Sequence, residues 1–440
     1  MIRRSLTLAS LLLALCFTAQ ALERQSPATY HHRREALAES LHGGAALLYA
    51  ADEPILDFLP YRQDSDFYYL TGWNEPGAAL LIFAAGDASH SEQKYQEILL
   101  LPTRNLHTEK YTGVKMDAST PDAAAHSGVE EVLPLKELVP RLNQAIEKNR
   151  SLLGAIYTQP GNPNAAAVLQ AVANSLGISS ATVAQDATAA TAKLRIVKDE
   201  GELALMQKAM DASISAQLVM IRSVHPGVTE RAVAGKIIAE LMAGGCERPS
   251  YAPIVGSGIN STVLHYSENS GTMQSGDVAV VDAAGEYSMY ASDITRTVPI
   301  NGHFTARQRH VYEIVLGAQQ AAAKAFVAGV SKLNDREHQD PDSLDSAAWN
   351  YIHDHDAELA KYWVHGLGHM IGIDVHDPAQ YPAVLRPGMT FTIEPGVYIP
   401  EEKLGIRIED VFVVQQDGSL RKMTAALPSD ASAVEALMKP

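Results

Sequence analysis

The chain has 440 residues, 46% hydrophobic and 20% charged, the balance of an ordinary globular protein but too long for one core of usual size. Its 35 basic and 51 acidic residues leave a formal charge of −16. That excludes the basic footprint which nucleic acid or an anionic membrane surface demands, and two or three domains are expected.

At the N-terminus, Arg3 and Arg4 precede an apolar run from Leu6 to Phe17, and Ala19-Gln20-Ala21 offers a small-x-small cleavage site. The run is about 12 residues, short of the roughly 20 that span a bilayer. Residues 1–21 are therefore expected to be a secretory signal peptide, which sends the chain to the periplasm or outside the cell; an uncleaved anchor is the alternative. Cys246 is then the one cysteine left, so no internal disulfide forms. Its neighbours Gly244, Gly245 and Glu247 bring no base for a thiol nucleophile.

Residues 22–192 alternate short apolar runs with helical patterns, an α/β texture. Ala45–Tyr49, Ala78–Phe83 and Ile98–Leu101 read as strands; Leu135–Ile146 and Ala165–Leu176 read as helices. The Ala/Thr-rich stretch Ala187–Lys193 reads as the boundary with a larger α+β domain, 193–440. There Asp199 and Glu202 spell a capping box, and Leu203, Met206, Met210, Ile214 and Leu218 mark one face of a long helix. Arg307–Ala328 and Ser346–Tyr362 are helical patterns, while the acidic stretch Leu333–Asp345, broken by Pro341, reads as a surface loop. Short strands fill Phe391–Val414.

The chemistry sits in that larger domain. Period-2 alternation sets Val278, Val280 and Asp282 on one strand face, with Asp293 and Thr295 sharing a face of the next. A tight reversal at Gly285–Tyr290 would bring the two aspartates opposite each other, about 5 Å apart. Unpaired, they repel; bridged by cations, they are stable. On these residues alone the alternative stays open, a turn aspartate and an aspartate paired with Arg296. Next comes His365-Gly-Leu-Gly-His369, with His376 inside Asp374-Val-His376-Asp377. The glycines permit close backbone approach, although the spacing lacks the inner glutamate of the H-E-x-x-H zinc helix. Arg407 and Glu409 share a strand face, which by itself fits an exposed ion pair of little worth. Glu394, in an apolar strand just before Pro395-Gly396, has no such excuse. Four carboxylates, one imidazole and no thiolate suit hard or borderline divalent ions.

Taken in order, Tyr251-Ala-Pro-Ile-Val-Gly-Ser-Gly258, Leu264-His-Tyr266 with Asn269, Asp282, Asp293-Ile-Thr-Arg-Thr297, His365-Gly-Leu-Gly-His369, Glu394-Pro-Gly396 and Gly-Ile-Arg-Ile-Glu409 resemble the pita-bread metallopeptidases, and aminopeptidase P above all. Pro60-Tyr-Arg-Gln-Asp-Ser-Asp-Phe67 and Leu70-Thr-Gly-Trp-Asn-Glu-Pro76 resemble the N-terminal domain shared by aminopeptidase P and prolidase. The resemblance implies a pita-bread catalytic domain behind a smaller α/β domain. It implies that Asp282, Asp293, His369, Glu394 and Glu409 hold two manganese ions, a ligand set that also accepts cobalt or zinc. His265 and His376 would contact substrate and stabilise or shuttle charge, with His365 and Arg407 lining the site or orienting ligands. Water activated between the cations would attack, Glu394 carrying the proton and His376 helping to hold the oxyanion.

The expected reaction is removal of an N-terminal residue that precedes proline. A prolidase restricted to dipeptides is the runner-up, and an inactive binding module of the same fold comes third. A glycosidase built on paired carboxylates would leave His369 idle. A homo-oligomer acting on peptides, with no nucleic acid and no membrane once the signal is removed, is the expected form. Three departures bear on preferred substrate length: Asp377–Arg386 is short, Tyr111 stands where a tryptophan is expected, and the acidic loop near Asp335–Asp345 has no counterpart.

Overall fold

The computed structural model describes residues 22–54, 61–86, 93–179, 184–335 and 337–439. The expected signal peptide, 1–21, lies outside the described residues. In the first half a 6-stranded mixed sheet runs in the order Glu131–Pro134, Gln96–Leu101, Ala79–Phe83, Ala45–Tyr49, Ile156–Thr158, Ala184–Asp186. The three strands legible in the sequence are its antiparallel centre, and the outer ones join in parallel. They read as unbroken apolar runs because both faces are covered. Ala46, Leu48, Leu80, Ile82 and Leu99 pack with Leu37, Phe67 and Leu70; Leu47, Leu81, Ile98 and Leu100 pack on the helices Leu138–Lys148 and Pro163–Leu176.

The stretch read as a boundary is itself a helix, Thr188–Arg195, with Thr191 and Arg195 buried. Its alanines favour helix, and it is stitched to both sides. Thr191 donates to Asp66 at 2.9 Å, while Arg195 reaches Asp66 at 2.7 Å and Asp374 and Asp377 at 2.6 Å each.

Beyond it the capping box forms as read, and the helix runs Glu200–Ser223. Met206, Met210 and Ile214 are buried as expected, but so are Leu205, Ala209, Ala212 and Ala216 on other faces. A single stripe was too narrow a reading: the first turns of this helix pack into the core of the N-terminal sheet, and the later turns into a second core. Two similar layouts then follow. The helices Glu200–Ser223 and Glu230–Ala243 back the strands Ile254–Ser257, Val278–Asp282 and Thr295–Pro299. The helices Ala306–Ala325 and Leu344–His355 back Thr390–Ile393, Gly396–Ile399, Leu404–Arg407 and Asp410–Val414. The two layouts meet where Glu409 N donates to Thr295 O at 3.1 Å and Thr297 Oγ1 donates to Arg407 O at 2.9 Å. Behind that seam Arg296 pairs with Asp410 at 2.8 Å, and not with Asp282 or Asp293 among the described residues, so the alternative of an aspartate paired with Arg296 does not hold. The site opens in front of the seam.

Candidate metal centre

The two aspartates are not opposite each other. Asp282 ends its strand facing Thr295, and Asp293 lies two residues further out. The reversal between them is no tight turn: Gly285–Tyr287 and Tyr290–Ala291 form their own hairpin, turning at Ser288 and Met289, and join Arg248–Pro249. What brings the carboxylates together is Tyr251, whose hydroxyl lies 2.5 Å from Asp282 Oδ1 and 2.6 Å from Asp293 Oδ1. One phenolic proton serves two carboxylates.

His369 is oriented by the next carbonyl: Nδ1–H donates to Met370 O at 3.1 Å, which turns Nε2 towards Asp293 Oδ2 and Glu394 Oε1, each at 3.4 Å. The segment lies flat against the strand Thr390–Ile393, where a Cβ on Gly368 would meet Thr392 O at 2.2 Å. Thr392 N and Oγ1 bond the His369 backbone at 2.9 and 3.0 Å, and Oγ1 also donates to Glu394 Oε1 at 3.1 Å. Ligand atoms of Asp293, His369 and Glu409 fall within 4.8 Å of one another. Glu394 joins through His369, and Asp282 through Tyr251.

Burial and mutual repulsion set the charges. Glu394 is pushed up to about 7, chiefly by burial and with help from Asp293 and Asp282. Burial, with Asp293 and Glu394 nearby, holds Glu409 well above the carboxylate range. Burial also raises Asp282, although Arg407 Nη2 donates to its Oδ2 at 2.7 Å. Burial opposes charge on His369, but the Asp293 bond and the Glu394 charge outweigh it and lift the imidazole to about 9. A buried carboxylate cluster balanced by one imidazolium and one guanidinium, rich in oxygen donors, fits divalent cations.

A second feature is a directed donor chain. Arg407 Nη1 donates to Tyr398 Oη at 2.9 Å, Tyr398 O–H donates to His365 Nε2 at 2.9 Å, and His365 Nδ1–H ends on Gly366 O at 2.8 Å. That sequence requires a neutral His365, and burial with the Arg407 charge lowers it to about 4. His265 and His376 are exposed at the rim, the His376 ring 4.1 Å from that of His369. All nine residues named from sequence for the site line one cavity of about 1070 Å³.

The loop carrying His376 is tied to the N-terminal half. Besides Arg195, Ser65 Oγ donates to Asp374 at 2.6 Å, Lys198 Nζ to Asp377 at 2.8 Å, and Arg62 Nη2 to Ile373 O at 2.9 Å.

Sequence reasoning left Tyr251 and Thr295 inside quoted motifs without a role, and it missed Tyr398 and a whole wall of the cavity. That wall is the stretch read as a surface loop. Asp345 is 1% exposed and accepts Leu367 N at 2.9 Å; Asn334 Nδ2 donates to Gly368 O at 2.7 Å. His338 bonds Asp345 and stacks on Trp349 with centroids 5.2 Å apart. The acidic loop thus braces the glycine-flanked histidine segment. Asp345→Ala is expected to cost about 1–3 kcal/mol, because Leu367 N–H and His338 both lose a buried acceptor; a denaturation midpoint equal to wild type would contradict this bracing. Tyr111 is 78% exposed and takes no part in the cavity lining. Cys246 is buried, its thiol pushed up to about 12 by burial and the charges of Glu247 and Glu286, so it is no nucleophile.

Comparison with known proteins agrees with this geometry. Residues 204–416 match metallopeptidase family M24, and residues 30–153 match the aminopeptidase P, N-terminal domain. A Xaa-Pro aminopeptidase of Escherichia coli is 33% identical over 93% of this chain and 97% of its own length. Human Xaa-Pro aminopeptidase 3 is 31% identical over 86% of this chain and 77% of its own. The solved structure of proline aminopeptidase P II from Yersinia pestis superposes with a TM-score of 0.83 at 31% identity, covering 94% of this chain and 99% of that one. A zinc-substituted E. coli aminopeptidase P in complex with product gives 0.82 at 29% identity, with the same coverage. The chain belongs to the M24 metallopeptidases with an aminopeptidase P N-terminal domain, and is a metal-dependent hydrolase.

Proposed function

We propose that Asp282, Asp293, His369, Glu394 and Glu409 hold two divalent ions, manganese by family likeness, for the removal of an N-terminal residue that precedes proline. The chain hydrolyses the Xaa-Pro bond. The observation that carries the metal assignment is the approach of Asp293, His369 and Glu409 ligand atoms to within 4.8 Å. Two divalent ions held by Asp282, Asp293, His369, Glu394 and Glu409 would supply Lewis-acid chemistry, lowering the pKa of a bound water towards neutrality.

The chain's own groups do the rest. Glu394 takes a proton and gives it back to the leaving nitrogen. His376, at the rim beside His369, donates to the developing oxyanion, and His265 contacts substrate across the cavity. Arg407 holds Asp282 and, through Tyr398, fixes His365. A bond to proline is a tertiary amide without an N–H, so recognition rests on shape, and Leu264, Trp363, Val364 and Val375 supply apolar wall.

The chain acts outside the cytoplasm, supported by the leader pattern of 1–21. It works as a homo-oligomer, supported by Leu106, Tyr111 and Val114 standing 70, 78 and 74% exposed. No helix among the described residues is long and apolar enough to cross a membrane.

The test is hydrolysis of Xaa-Pro-Xaa tripeptides and Xaa-Pro dipeptides by manganese-loaded protein, with and without chelator. Tripeptide cleavage abolished by chelator and restored by manganese is expected. Turnover confined to dipeptides would make the chain a prolidase instead.

A further inference from the structure

We propose that Gln217 and Gln319 are positioning residues, each fixing the separation of one pair of metal ligands from the helix behind it. Gln217, fully buried on Glu200–Ser223, donates through Nε2 to Ala283 O at 2.9 Å and to Ile294 O at 3.0 Å. Ala283 follows Asp282, and Ile294 follows Asp293. Gln319, 3% exposed on Ala306–Ala325, donates through Nε2 to Ile393 O at 3.0 Å and to Ile408 O at 3.3 Å, with Asp410 Oδ2 also at 3.0 Å. Ile393 precedes Glu394, and Ile408 precedes Glu409. An amide nitrogen carries two hydrogens, so Gln217 serves both segments of its pair, while Gln319 shares its two among Ile393 O, Ile408 O and Asp410 Oδ2.

The sheet does only part of this. Regular strand pairing pauses at Asp282 with Thr295 and at Ile393 with Asp410. Just beyond, one bond of 3.2 Å from Ala283 N to Ile294 O joins the first pair of segments, and in the second pair the ladder resumes only at Gly396 with Arg407. The carboxylates stand at these breaks, where a two-pronged donor from the helix behind adds a tie to both segments. Gln217 also keeps an acceptor, Oε1, buried with no hydrogen-bond partner. An apolar residue of equal length would remove that orphan, so the amide's two N–H groups are what this position supplies. The same device on both halves, at ligands more than a hundred residues apart, argues against coincidence.

This inference rests on the metal assignment above, and its test separates the two. Wild-type protein is titrated with manganese against a competing chelator; no binding there overturns the assignment itself. Given binding, Gln217→Met is expected to weaken manganese affinity about 10- to 100-fold, the usual size of an outer-shell effect. The metal-free unfolding midpoint should fall modestly as well, since Ala283 O is left buried without its donor, partly offset because the orphaned Gln217 acceptor leaves too. Gln319→Met should weaken affinity likewise, with a lower midpoint because Asp410 also loses a donor. Should Gln217→Met not fold, Gln217→Asn keeps the amide one methylene short and is read in the same way. Folded variants with wild-type manganese affinity, or a fall in midpoint without a fall in affinity, overturn the proposal.

Discussion

Asp293→Ala is expected to lower kcat/KM on an Xaa-Pro tripeptide by more than about a thousandfold, a loss of about 4 kcal/mol in transition-state stabilisation. Asp293 is chosen over its neighbours because three groups converge on it. Its Oδ1 lies 2.6 Å from the Tyr251 hydroxyl, its Oδ2 lies 3.4 Å from His369 Nε2, and it shares an ion-sized space with Glu409. Replacing it removes a ligand and also the acceptor that aims His369, so metal content measured on purified protein should fall along with activity. Activity within tenfold of wild type at full metal occupancy would contradict its place in the centre. The Tyr251→Phe substitution is a milder companion: it removes the shared proton but no ligand, so metal should stay.

The residues gathered in the cavity could be read from sequence because each sits in a short motif whose pattern carries the constraint. Alternation located Asp282 on its strand, and the glycines around His369 announced close approach, which Gly368 makes against Thr392. What alternation could not give was register. The segment between the aspartates forms a separate hairpin, so the facing residue is Thr295 and a tyrosine closes the gap. Asp345 and Asn334 were illegible for another reason. They lie in a stretch whose composition is that of solvated loop, and only tertiary packing turns two of its polar side chains inward onto the histidine segment. The Arg407–Glu409 face carries the same lesson in reverse. Two charged residues at strand spacing look exposed until a second sheet covers them, and here both are buried because the two layouts meet along that edge. The boundary helix Thr188–Arg195 escaped notice because Ala and Thr content says little about how a segment is anchored; Arg195 shows it is held by three carboxylates.

The stability gained on adding manganese is expected to grow as pH rises from about 5 to 9. In the metal-free protein Glu394 is raised from its ordinary 4.5 to about 7, and His369 from 6.5 to about 9. Both shifts favour the protonated form in the folded state. For Glu394 the folded chain therefore holds a proton that the unfolded chain has released, and metal-free stability falls as pH rises from 4.5 to 7. For His369 the contribution is whole below 6.5 and is lost as pH climbs to about 9. Manganese binds both groups deprotonated, so below each value it must displace a proton, and apparent affinity drops about tenfold per pH unit for each proton displaced. The gain follows metal affinity, which rises with pH, while metal-free stability falls over the same range. Unfolding midpoints recorded with manganese and with chelator across this range should diverge steadily. The Glu394→Gln variant should flatten the lower part of the metal-free curve while remaining inactive. Parallel curves for the loaded and stripped wild type would show that metal uptake displaces no proton from these groups, and a flat metal-free curve that folding does not protonate them.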